Sequence, residues 1–236
     1  MSALYHYLRG GLVPTLRILS LMLITLTITS TAHSSSSDSE DHSNPDTETH
    51  QSKLVKLGSA GEALENNAKK WACVADNVTG LTWEKRDPTT ALHGHDTYIW
   101  YQPEQAISGS PRAHPELDWA DSTCFGFNPD DSTSFCNTSS YAERVNQSNY
   151  CGFSDWRLPT ANELLTLVDP DRKLRNIKPL IDTRFFPFHQ PFLYWTSTVN
   201  SDGIVATVFS DDRIFANSER SDTIMVRLVR GNISPE

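Results

Sequence analysis

The sequence predicts an α+β domain held by two disulfides. Three observations predict it. Four cysteines, Cys73, Cys124, Cys136 and Cys151, all follow an apolar N-terminal stretch. A strand–turn–strand pattern opens the body of the chain, and two helix patterns follow it. A set of β-branched and aromatic runs then closes the chain, and that order is the one α+β proteins show, with antiparallel sheets and segregated helices. The 236 residues suit one or two domains. Aromatic residues are 10% of the chain, enough to build one core despite modest aliphatic content, because each buries a large area.

Residues 1–32 read as a secretory signal peptide. Arg9 and Arg17 form the basic region, Ile18 to Ile28 the apolar core, and Ser30-Thr31-Ala32 a small-residue cleavage site. The apolar run is short for a membrane span; the alternative is an uncleaved anchor. The chain carries a net charge of −9, and removing this segment takes away two arginines and no acid. Residues 33–68 read as a polar linker. Residues 33–53 are Ser, Asp, Glu, His, Asn and Thr with almost nothing to bury, so order there has no offsetting gain; 54–68 is extended or a short helix. His33, His42 and His50 belong to this solvated tract, with weak metal chelation the alternative. The folded domain is assigned to 69–232, and 233–236 to a tail. An even cysteine count behind an export signal reads as two disulfides. Three connectivities are open; Cys124–Cys136, closing a polar loop, and Cys73–Cys151, tying the first strand to a later turn, are favoured. No spacing matches a zinc site.

Within the body, Trp71–Ala75 and Leu81–Glu84 flank the turn Asp76-Asn77-Val78-Thr79-Gly80, which predicts a hairpin with Trp71 and Trp83 facing each other. Residues 87–135 form a long irregular region rich in Pro, Gly, Asp and Ser, yet carrying Tyr98, Trp100, Tyr101, Trp119, Phe125 and Phe127. Long loops of this kind are often functional. A helix is predicted over about 139–148, after a run of capping residues. Cys151 to Leu164 then reads as a pinned turn that buries Trp156 and launches a second helix. Thr160 and Glu163 stand at capping-box spacing, and Asp169-Pro170 ends that helix. Strands follow at Phe192–Ser197, Ile204–Phe209, Arg213–Ala216 and Met225–Arg230, the last with Val226 and Leu228 on one face.

Four of these segments recur together in one family. Asp76-Asn77-x-Thr79-Gly80-Leu81-x-Trp83 is the first. Gly152-x-Ser154-Asp155-Trp156-Arg157-Leu158-Pro159-Thr160-x-x-Glu163-Leu164 is the second. Tyr194-Trp195-Thr196-Ser197-Thr198 and Val226-Arg227-x-Val229-Arg230-Gly231 complete the set. In this order, over about residues 70–231, they resemble the domain of unknown function at the C-terminus of the Legionella collagen-like protein. The resemblance implies a C-type lectin-like fold, related also to sulfatase-modifying-factor domains, and export, often to the bacterial surface. It implies an adhesin-like role, since the collagen-like member binds sulfated polysaccharides and forms trimers. This chain has no Gly-X-Y tract, and its acidity disfavours a polyanionic ligand except at the basic cluster Arg172, Lys173, Arg175 and Lys178.

The candidate chemistry is weighed accordingly. Asp155, Trp156, Arg157, Thr160, Glu163 and Trp195 are read as structural: Asp155 and Arg157 as an ion pair or backbone clamp, Thr160 and Glu163 as the helix cap. A Ser-His-Asp arrangement drawn from Ser154 or Ser197 with His93, His95, His114 or His189 has no nucleophile elbow behind it. Paired cysteines offer no thiolate for oxidase chemistry. Acidity disfavours nucleic acid. Asp118, Asp121, Asp130 and Asp131 are a solvated acidic loop or, alternatively, oxygen ligands for Ca2+; no other cofactor is expected. Tyr98, Trp100, Tyr101 and Trp119 are the candidate binding residues, set to stack on sugar rings, with core filling as their competing role. The expectation is an exported binding or adhesion module for a surface glycan or protein. A structural part of an envelope assembly is the alternative, and an enzyme on the same scaffold the weakest.

Overall fold

The computed structural model describes residues 53–87, 95–104, 110–112, 122–189, 193–201, 203–208 and 213–232. The expected signal peptide, the first part of the linker and the C-terminal tail lie outside the described residues. Among the described residues no helix is long and apolar enough to cross a membrane.

Two sheets and three helices make up the described fold. The first sheet has the order β1 (Leu54–Leu57), β2 (Cys73–Asp76), β3 (Thr82–Glu84), β9 (Val229–Arg230), antiparallel throughout. The second has the order β4 (Thr97–Tyr98), β8 (Ile224–Met225), β5 (Leu193–Asn200), β6 (Gly203–Val208), β7 (Arg213–Ser218). Its pairings are antiparallel except β5 with β8, which meet in parallel at Tyr194 and Met225. Helices α1 (Thr138–Gln147), α2 (Ala161–Leu165) and α3 (Pro170–Leu174) lie between β4 and β5 in the chain.

Consecutive residues of the strands feed two different cores, because side chains alternate across a strand. Cys73, Trp195, Val226 and Leu228 enter one cluster, with Tyr98, Trp100, Tyr141 and Trp156. Their neighbours Val74, Tyr194, Met225 and Val229 enter the other, with Trp83, Leu164, Ile181 and Phe186. Strands buried on both faces carry no polar alternation, which is why the runs at 193–195 and 224–229 are apolar almost throughout.

Several expectations are met and several are corrected. Both favoured disulfides are present, Cys73–Cys151 and Cys124–Cys136. The hairpin forms where predicted, but Trp83 faces Val74 across it. Trp71 instead lies one turn of chain earlier, its indole N–H donating to the Phe185 carbonyl at 3.1 Å. The ordered body begins before Lys69. Leu54–Leu57 pairs with β2 from Leu54↔Asp76 to Leu57↔Cys73, since Leu57 has a core to enter. The second helix is short. α2 gives way at Thr166, and α3 restarts after it, with Asp169 as N-cap and Pro170 at its first position. Asp169-Pro170 therefore ends one helix by starting another. The last predicted strand is two: β8 and β9 belong to different sheets, and Val226-Arg227-Leu228 carries the chain from one to the other.

Candidate functional site

The turn before α2 is built from backbone that few residues adopt. Asn149, Cys151 and Gly152 have φ of 50°, 58° and 75°. A Cβ on Gly152 would lie 2.8 Å from the Ala60 carbonyl oxygen, so the turn that follows β1 and this turn approach closely only because the position is glycine. Trp156 is buried beneath it, its indole N–H donating to the Tyr150 carbonyl at 3.0 Å. Asn146 of α1 clamps the Trp156 backbone from both sides, accepting from its N–H at 2.7 Å and donating to its carbonyl at 2.9 Å.

The charged residues of this turn form two pairs, and neither is Asp155 with Arg157. Arg157 makes a two-pronged contact with Glu163, at 2.8 and 2.7 Å, and also donates to the Gly231 carbonyl at 2.8 Å. Glu163 is held below its usual range: burial opposes its charge, but the Arg157 guanidinium and the Thr160 amide outweigh it. The same carboxylate completes the capping box, accepting from the Thr160 amide at 2.8 Å while Thr160 Oγ1 accepts from the Glu163 amide at 3.1 Å. Asp155 reaches Arg230, 75 residues on, at 2.7 and 3.1 Å, and hydrogen bonding from that guanidinium lowers its pKa. Arg157 also joins sheet one through its backbone, exchanging two 2.9 Å hydrogen bonds with Val229.

A second polar cluster lies in the interior. Glu84, Arg86 and Arg227 are all buried. One Glu84 carboxylate oxygen accepts from the Tyr141 hydroxyl and the other from the Leu228 amide at 2.9 Å. Arg227 donates to the carbonyls of Glu84 at 2.6 Å, Lys85 at 3.2 Å and Phe188 at 3.2 Å, and its guanidinium lies 4.8 Å from the centre of the Phe186 ring. Arg86 donates to the carbonyls of Val226 and Asp96. These bonds satisfy main-chain groups at the crossing between sheets, where no ladder partner is available. Burial, and then Glu84, raises the Tyr141 pKa.

The candidate aromatics separate. Tyr98 and Trp100 are core residues, 1% and 0% exposed, which corrects their assignment to a binding surface. The chain is locked there by an exchange: Trp195 Nε1 donates to the Tyr98 carbonyl at 2.6 Å, and Trp100 Nε1 donates to the Thr196 carbonyl at 3.0 Å. Trp195 is fully buried, as its structural assignment requires. Tyr101 is half-buried, with its backbone held by Thr138 Oγ1. Trp119 lies outside the described residues, as do His93, His114, Asp118 and Asp121. His95 packs edge-on against Phe188, and His189 stacks on Tyr194. Burial and then Arg227 push His189 down to about 3, so its ring is neutral in the fold at neutral pH. The Ser197 hydroxyl donates to the Pro159 carbonyl at 3.2 Å.

The loop closed by Cys124–Cys136 displays what the long region offers. Phe125 is 67% exposed, its amide donating to Asp96 at 2.9 Å. Behind it, Phe127 and Phe135 meet at 6.1 Å, with the Arg112 guanidinium within 6 Å of both rings. The 128–134 turn is stiffened by Ser134, whose hydroxyl accepts from Asn128 N and donates toward Asn128 O and Asp131 O. Asp131 caps the 3-10 turn Ser132–Ser134 through Thr133, whose hydroxyl and amide also hold its pKa low. Among the described residues no three His, Cys, Asp or Glu side chains gather to hold a metal ion. Phe125 and Phe127 were visible in the sequence as loop aromatics. Of the two, Phe127 packs against the first core cluster while Phe125 stays exposed, a difference that nothing in their local sequence signals. The family model described as the Lcl C-terminal domain matches residues 72–230. No curated protein and no solved structure matches the chain.

Proposed function

The chain belongs to the Lcl C-terminal domain family, and from that premise we propose that it is an exported bacterial binding module, C-type lectin-like in fold, that recognises a surface glycan or protein. The observation that carries this is the division of labour among the motif residues. Asp155, Arg157, Glu163, Glu84 and Arg227 are each engaged in holding backbone or one another. What remains for a partner is surface, and among the described residues that surface has aromatic character at the disulfide-closed loop with Phe125 and at the half-buried Tyr101 after β4. A rigid aromatic on a pinned loop binds with little loss of conformational freedom. Export is supported by the two closed disulfides, which persist in oxidising compartments.

The test is a screen of the protein against arrays of bacterial and host surface glycans and against surface proteins, with Phe125→Ala and Tyr101→Ala alongside. Saturable binding that falls at least tenfold in Phe125→Ala, with an unchanged unfolding midpoint, is the expected outcome. No saturable ligand in either class contradicts the proposal.

A further inference from the structure

The segment from Asp169 to Pro179 is unlike the rest of the surface in both shape and charge. Lys173 through Lys178 are six consecutive exposed residues. Among them Leu174 is 86% exposed and Ile177 37%. Leu174 thus projects into solvent from a structured turn, with Ile177 three residues on. The turn is closed on itself. Lys173 N donates to Asp169 O at 2.9 Å, Arg175 N to Asp171 O at 3.1 Å, Asn176 N to Lys173 O at 3.1 Å and Ile177 N to Arg172 O at 2.8 Å. Arg172 Nε fastens the base to the Pro179 carbonyl at 2.7 Å.

The charge is reversed relative to the chain. The whole chain is at −9, yet the six exposed residues hold Lys173, Arg175 and Lys178 and no acid. Asp169 accepts from the amides of Asp171 and Arg172 as helix cap, and Asp171 stands in the first turn of α3, at its N-terminal end. Asp182 pairs with Arg184 at 2.6 Å.

We propose that this turn docks the protein on an anionic phospholipid surface, with Leu174 and Ile177 entering the headgroup boundary and Arg175 and Lys178 contacting phosphates. Charge complementarity selects an anionic partner, and the apolar tip selects a bilayer over a soluble polyanion. A sulfated polysaccharide would neutralise the cations but leave Leu174 in water, whereas an interface takes both. The closed backbone matters too. The amides of Lys173, Arg175, Asn176 and Ile177 are already paired before the tip leaves water for a medium that cannot bond them. This inference does not depend on the aromatic loop being a ligand site.

The test uses the full chain carrying Leu174→Cys, labelled with an environment-sensitive fluorophore. All four native cysteines are paired, so the label has one site. Vesicles of phosphatidylglycerol are expected to shift the emission to the blue, and vesicles of phosphatidylcholine to leave it unchanged. Adding Arg175→Gln and Lys178→Gln should weaken the apparent vesicle affinity roughly thirtyfold, about fivefold for each cation. Emission that stays at its solvent value on phosphatidylglycerol overturns the proposal, even where the apolar N-terminal stretch brings the chain to the vesicle. So does a shift with dextran sulfate alone, which would assign the turn to a polyanion.

Discussion

The two polar clusters differ in what their arginines hold. On the surface, Arg157 and Arg230 pair with carboxylates, Glu163 and Asp155, across geometry that is close to ideal. In the interior, Arg227 and Arg86 spend their donors on carbonyl groups of the main chain, and the carboxylate of that cluster, Glu84, spends its acceptors on an amide and a tyrosine. The surface pairs fasten loops whose backbone already has partners. The interior groups stand in for a missing ladder, at the point where Val226-Arg227-Leu228 passes between sheets. The difference teaches that residues of like appearance in one motif, Arg227 and Arg230, contribute unequally. Removing Asp155 or Arg230 returns its mate to water, while removing Glu84 or Arg227 leaves buried groups with no water to replace it.

Glu84→Ala should break the interior cluster outright. It leaves the Leu228 amide and the Tyr141 hydroxyl without their acceptor and two buried guanidinium groups without the nearby negative charge, at a cost of about 3–5 kcal/mol in urea unfolding. The next largest effect separates the clusters by pH. His189, beside Arg227, has a folded pKa lowered to about 3. As pH falls below its unfolded value, near 6.5, the unfolded chain takes up the proton and the fold does not. Stability is therefore lost as pH drops from about 6.5 toward 3, amounting to about 2 kcal/mol between pH 7 and 5. His189→Phe, which keeps a ring against Tyr194, should flatten that slope. Asp155 and Glu163 have depressed folded pKa values, so their contribution is present above the unfolded carboxylate range and is lost only below about pH 4. Glu163→Gln should cost about 1–2 kcal/mol, since it weakens the Arg157 pair and half of the capping box together. Asp155→Asn should cost less than about 1 kcal/mol, because that carboxylate is 54% exposed.

Much of the frame could be read from local chemistry. The hairpin turn, the Thr160–Glu163 cap and the buried Trp156 rest on residues whose preferences are strong over a few positions, while the cysteine pairing was one favoured choice among three. The cap of α3 was equally legible, because Asp169 before Pro170 is a helix start as well as a stop. What could not be read came from distant partners. Tyr98 and Trp100 stand in a stretch that looks like loop, and only Trp195 and Thr196, almost a hundred residues on, make it core. Asp155 has an arginine two residues away and chooses one 75 residues away. Leu54–Leu57 is four residues after a polar tract, and it becomes a strand because β2 offers an unpaired edge.

The central claim is that Arg227 and Arg230, three residues apart in one motif, do different work: one holds the crossing between sheets, the other trims a surface turn. Urea unfolding of Arg227→Met and Arg230→Met at pH 7 tests it most directly. Arg227→Met should lose about 3 kcal/mol or more, as one buried and two partly buried carbonyls lose their donor, while Arg230→Met should stay within about 1 kcal/mol of the parent. Equal losses, or an Arg227→Met protein as stable as the parent, would contradict the claim.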